Sequence, residues 1–169
     1  SHGGGVRRAP CGNIRRYCRD GGNGDKPFII HVKEVCKRTT DFEGKGIGTY
    51  NLEGGKLVPD SLVDDMSIIV NLKEKGLFIV TGCSHAGIVN ILEHSKKITG
   101  INKIFGVIGG LHLVKADDEV IAKTIDRLER LNPSVLIPGH CTGQKAQYRL
   151  WERFGDRYRA MHSGSVFEF

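Results

Sequence analysis

The sequence has no apolar run approaching the ~20 residues that a membrane-spanning helix requires, so no membrane partner is expected. Its opening residues, SHGGGVRRAP, carry neither an initiating Met nor an apolar signal core. That start is read as a processed product or an incomplete chain, with a cytoplasmic location. Cysteine is scarce and odd in number: Cys11, Cys18, Cys36, Cys83 and Cys141, with no C-x-x-C pair. This argues against a disulfide scaffold and a zinc ribbon, and fits a reducing compartment. Aromatic residues make up only 7% and form no stacking pattern beside the basic residues, so nucleic acid is not an expected partner.

What is present reads as one globular unit. At 169 residues the chain can bury a single core, and 39% hydrophobic with 26% charged residues argues against wholesale disorder. The net charge of +6 is not spread evenly. Residues 1–40 hold nine Lys or Arg against Asp20, Asp25 and Glu34, and the rest of the chain is balanced. Residues 1–40 are therefore taken as an irregular basic segment with a solvated face, and residues 41–169 as the domain proper.

Within the first segment, GNIRRYCRD fits a short helix ended by Gly21 and Gly22, PFIIH a strand, and VKEVCKR a helical turn. Residues 41–60, rich in glycine, read as loop with a short extended piece. From residue 62 the pattern sharpens. MSIIVNLK and GLFIVTG are β-rich runs meeting at Glu74-Lys75-Gly76, which predicts a hairpin. Residues 86–98 place Ile88, Ile91 and Leu92 on one helical face, with Gly100 positioned to end the helix. KIFGVIGG is a strand, Asp117 a candidate N-cap for a helix carrying Ile121, Ile125 and Leu128, and Asn132-Pro133 its stop. SVLIPG is the next strand. A third helix follows Gly143 with Ala146, Leu150, Trp151 and Phe154 facing inward, and SVFEF reads as a closing strand. This alternation predicts an α/β layered domain.

Ligands of such sheets gather in the loops after the carboxyl ends of strands. His85, His112 and His140 each follow a strand and a glycine, at intervals of 27 and 28 residues, close to the length of one βαβ unit. Three readings follow. Neutral imidazoles at rigid strand ends can bind a metal for hydrolysis. Alternatively Gly82-Cys83-Ser84-His85-Ala86 approximates a nucleophile elbow, making Ser84 the nucleophile with Asp117 or Asp118 and His140 completing a triad. Against that, Ala86 replaces the last elbow glycine and the bulky His85 follows the serine. The third reading is structural, with each His hydrogen-bonded or solvated at a turn; it suits His31, His94 and His162 better than the three strand-end residues. Cys83 and Cys141 neighbour the cluster and are read as small hydrophobes without a catalytic role.

At these residues the chain resembles the metallo-β-lactamase superfamily, and within it the branch of 7,8-dihydropterin-6-methyl-4-(β-D-ribofuranosyl)-aminobenzene-5′-phosphate synthase-like proteins. DDMSIIVNLKEKGLFIVTGCSHAGIVNIL, VIGGLHL, IPGHCTGQKA and the ending GSVFEF carry the resemblance, with GDKPFIIH a weaker match upstream. It implies the C-terminal portion of an αβ/βα sandwich with a metal site at the sheet edge. His85 and His140 would be ligands from two superfamily motifs, and His112 would stand between them where an Asp or Cys is usual. Asp64 and Asp65 match an acidic pair of the branch, read as turn or outer hydrogen-bonding residues.

The superfamily's His-x-His-x-Asp-His element is absent. Only Ser1-His2-Gly3 matches its start, which makes His2 a fourth candidate ligand. The resemblance thus implies the C-terminal part of a larger fold with an incomplete dinuclear site, holding zinc (or iron or manganese) as at most one ion where the intact family holds one or two. It implies a metal-dependent hydrolase acting on a small, phosphorylated substrate. The alternative is a non-catalytic fragment or a subunit completing another chain's site. Half a sandwich would also expose apolar sheet surface, which a homo-oligomer could cover.

Overall fold

The computed structural model describes residues 14–18, 28–32, 35, 38–44, 50–60 and 65–169. Eight strands and three helices occur among them: β1 (Ile14–Cys18), β2 (Phe28–Val32), β3 (Tyr50–Glu53), β4 (Lys56–Pro59), β5 (Ser67–Leu72), β6 (Gly76–Thr81), α1 (Ile88–Thr99), β7 (Ile104–Gly110), α2 (Asp118–Leu131), β8 (Val135–Gly139) and α3 (Gln144–Phe154). One six-stranded sheet runs β1-β2-β5-β6-β7-β8, and β3-β4 forms a separate hairpin. β1, β2, β5 and β6 pair antiparallel, whereas β6, β7 and β8 are parallel.

The parallel part follows from the sequence pattern. Two βαβ crossovers of the same hand, β6-α1-β7 and β7-α2-β8, must put α1 and α2 on the same face of the sheet. Alternate side chains on that face, Ile30, Ile69, Leu77 and Ile79, are buried with Ile88, Leu92, Ile121 and Leu128 in one apolar cluster. The helix ends use local chemistry. Gly100 takes the left-handed conformation that closes α1, and Asp117 accepts a hydrogen bond from the Val120 backbone N–H at 2.8 Å to start α2. Asn132, also left-handed, ends α2. The hairpin turn falls at residues 73–75, as expected, with Leu72 opposite Gly76.

Four expectations differ from the fold. IRRYC is a strand rather than a helix, because antiparallel pairing with β2 along five residues satisfies its backbone. The glycine-rich stretch contains the β3-β4 hairpin, turned by Gly54 and Gly55 at positive φ. Trp151 is 54% exposed, lying beside Tyr148 on the outer side of α3, while Ala146, Leu150 and Phe154 are buried as expected. SVFEF is not a strand; its last ring, Phe169, packs instead on Phe78 and Phe105 with centroids at 5.1 and 5.7 Å. Of VKEVCKR, most residues lie outside the described ones.

Part of the second face of the sheet is exposed. Ile29, Ile68, Val80 and Met66 are 47, 42, 38 and 53% exposed, an apolar row that alternates with the buried positions of the same strands. Such an alternation of apolar with apolar is what a sheet covered on both sides requires. No described helix is long and apolar enough to cross a membrane.

Candidate metal centre

The three parallel strands end together, and the loops after them carry His85, His112 and His140. The register pairs Thr81 with Gly109 and Gly110 with Gly139, so these loops emerge at one edge of the sheet. Close approach requires glycine there. A Cβ on Gly109, at φ 135°, would stand 2.1 Å from the Thr81 carbonyl oxygen. A Cβ on Gly110 would stand 2.8 Å from Cys141 Sγ and 3.2 Å from Cys83 Cα.

Hydrogen bonds tie the loops to one another. The Gly110 N–H donates to the Gly82 carbonyl at 2.8 Å, and the Ser84 hydroxyl to the Gly110 carbonyl at 2.6 Å. Thr142 Oγ1 accepts from the Leu111 N–H at 3.1 Å and donates to the Gly139 carbonyl at 2.7 Å. The Val114 N–H donates to the Cys141 carbonyl at 3.0 Å. Ser84, His112 and His140 all sit at positive φ, 61°, 53° and 47°, a conformation that costs a non-glycine residue free energy. Strain of this kind concentrates where side chains must be aimed.

The His85 and His112 rings meet edge to face with centroids 4.6 Å apart. Nδ1 of His112 is buried and has no hydrogen-bond partner. Burial first, then the neighbouring His85, hold the His112 pKa below the ordinary imidazole value, with the nearby Asp65 carboxylate opposing them. A neutral ring with a bare, buried nitrogen is a state that can donate a lone pair to a cation. Asp65 is itself buried and accepts the Ala86 N–H at 3.0 Å, anchoring the residue after His85. Asp64 and His2 lie outside the described residues.

His140 is exposed, and its Nδ1 lies 3.5 Å from Cys83 Sγ. With Cys141 they form a group whose three donor atoms lie within 4.8 Å of one another. Cys141 Sγ is 3.3 Å from the Cys83 carbonyl oxygen, and burial pushes its thiol pKa up. Imidazole and thiol donors together fit a borderline metal such as zinc or iron. The two cysteines were not foreseen as site residues, although their positions, two before His85 and directly after His140, were legible.

Two candidate roles fall away. Ser84 is fully buried, and its hydroxyl is held between Gly110 and Thr81 Oγ1, the latter at 2.9 Å, so it braces the loop. Asp117 caps α2, and Asp118 pairs with Lys145 and Arg149 at 2.8 and 2.7 Å between α2 and α3. His94 is neither solvated nor hydrogen-bonded at Nε2, which is buried in α1 without a partner. Beside His112 opens a cavity of about 560 Å³, walled by Phe42, Leu113, Val114 and Val120, with Lys115 and Glu43 among its polar lining residues. Burial raises the pKa of Glu43, whose carboxylate accepts the Val89 and Asn90 N–H groups at the start of α1.

No family model matches the chain. It is 45% identical over 145 residues to the 7,8-dihydropterin-6-methyl-4-(β-D-ribofuranosyl)-aminobenzene-5′-phosphate synthase of Methanocaldococcus jannaschii, across 85% of this chain and 49% of that protein. An uncharacterised protein of the same organism is 39% identical over 99 residues, 59% of this chain and 35% of its own length. Among solved structures, Tm1679, a metal-dependent hydrolase of the β-lactamase superfamily, aligns with a TM-score of 0.69 and 27% identity, over 83% of this chain and 53% of that one. The chain thus spans 35 to 53% of the length of the relatives it matches. With the strand-end histidines and these likenesses in hand, the chain belongs to the metallo-β-lactamase superfamily, in the branch of the dihydropterin synthase relative.

Proposed function

We propose that the protein is a metal-dependent hydrolase-like member of this superfamily, in which His85, His112 and His140 hold one zinc ion, with His2 as a fourth ligand. The observation that carries the reading is the His85–His112 pair at 4.6 Å, with the bare, buried Nδ1 of His112 at the loop edge. A bound zinc ion supplies Lewis acidity and a more acidic water. The chain's own residues do the rest. Asp65 and Ser84 fix the loop that carries His85, and Thr142 fixes the loops of His112 and His140 to each other. The adjoining cavity takes a small molecule, its apolar wall receiving a ring and Lys115 attracting an anionic group such as phosphate. The synthase relative is named for both features, a pterin ring system and a phosphate.

Zinc-loaded protein should hydrolyse a generic phosphodiester or thioester, and His85→Ala should abolish that turnover. A second reading, a subunit that completes a site shared with another chain, draws on the open apolar sheet face. Zinc bound without detectable turnover would favour it. Activity surviving in chelator and lost on Ser84→Ala would overturn both.

A further inference from the structure

We propose that Cys83 and Cys141 are metal ligands, forming with His140 Nδ1 a sulfur-rich site that selects zinc or another thiophilic divalent ion over manganese and magnesium. The site shares His140 with the hydrolase reading above but rests on its own three donor atoms.

The geometry comes from the strand ends. Cys83 is delivered by the loop after β6, and His140 and Cys141 by the loop after β8, with Gly110 of β7 close to both cysteines. Because Gly110 has no Cβ, the sulfur of Cys141 reaches within 3.3 Å of the Cys83 carbonyl oxygen. Cys83 Sγ and His140 Nδ1 are 3.5 Å apart, and all three donors fall within 4.8 Å of one another. Metal–ligand bonds of ~2.0–2.3 Å at tetrahedral angles place neighbouring ligand atoms roughly 3.3–3.8 Å apart. The Cys83–His140 edge already has that length, and the remaining edges need contraction by no more than about 1.5 Å.

The usual structural role of cysteine does not account for this pair. A cysteine serving as a small hydrophobe is buried, whereas Cys83 and Cys141 are both partly exposed, and His140 beside them is open to solvent. His140 also holds a left-handed backbone, φ 47°, which a solvated histidine at a turn does not need. Two sulfurs and an imidazole are soft to borderline donors. They favour zinc, and they disfavour oxygen-seeking manganese and magnesium. The fourth coordination position is left to solvent, substrate or a residue beyond this group.

Cobalt(II) titration of the full chain under reducing conditions tests the proposal, because cobalt bound to thiolate absorbs in the near ultraviolet by sulfur-to-metal charge transfer. The expected result is such a band, reduced by about half in Cys83→Ser and in Cys141→Ser and absent in the double variant. It should persist in His85→Ala, and zinc should displace the cobalt where manganese does not. Each Cys→Ser change should weaken zinc binding at least about tenfold while far-ultraviolet circular dichroism stays unchanged. Cobalt bound with d–d bands but no charge-transfer band overturns the proposal and leaves the histidine reading standing. A full charge-transfer band in a protein without turnover supports the proposal while the hydrolase reading fails. No cobalt binding, or a band that survives the double substitution, overturns the proposal.

Discussion

Single residues at the sheet edge hold opposite kinds of strain and support. Ser84 illustrates how a reactive side chain type can be structural: its hydroxyl is buried and joins two loops. Ser84→Ala should therefore destabilise the fold by about 1–3 kcal/mol, the cost of leaving the Gly110 carbonyl without its donor. Chemical denaturation measures this, and zinc affinity should fall as well, because the same hydroxyl fixes the loop that carries His85. Glu43 gives a pH-dependent case. Its folded pKa lies above the ordinary carboxyl value of 4.5, mainly through burial. Between the two values the folded state binds the extra proton, so stability falls as pH rises from 4.5 through the folded value. Replacing the carboxyl by the neutral Glu43→Gln removes that dependence. The stability of the native protein relative to the variant should decline with rising pH across this window, read from denaturation midpoints. A difference that stays flat or grows would contradict the assignment.

At the scale of elements, the close packing of β6 against β7 is the feature on which the site depends. Gly109→Ala would drive a Cβ against the Thr81 carbonyl and force a positive φ on alanine, costing roughly 3 kcal/mol or more. Thermal unfolding should show that loss, with metal affinity lost alongside. Asp117→Ala removes the α2 cap and should cost only about 1 kcal/mol, with the site intact. These elements were legible in the sequence because their signals are local: the Asp117 cap, the Gly100 and Asn132 ends, the hairpin at Glu74, and alternating apolar residues in β5 and β6. The misread elements depended on distant partners. IRRYC becomes a strand because β2 lies beside it, and Phe169 finds Phe78 and Phe105 rather than an edge to pair with. Trp151 has the right helical spacing for the core but points to the surface, since the stripe of Ala146, Leu150 and Phe154 already fills the contact with the sheet. The site was half legible. Three histidines at similar intervals after strands announced a shared edge, but the pairing of Cys83 with His140 depends on a register spanning 57 positions.

On the scale of the whole molecule, an exposed apolar row runs along the second face of the sheet. Ile29, Ile68, Val80 and Met66 form a surface suited to a second packed layer, and the chain spans 49% of the synthase relative. The isolated chain should self-associate through this face, and Ile68→Thr with Val80→Thr should shift it toward monomer in sedimentation velocity without unfolding it. The central claim concerns the edge of the parallel strands, and zinc stoichiometry of the purified chain tests it most directly. Metal analysis after loading and desalting should find one zinc per chain in the native protein and clearly less in His140→Ala with the fold intact. Full zinc retention in His140→Ala, or no retained zinc in the native protein, would contradict the account.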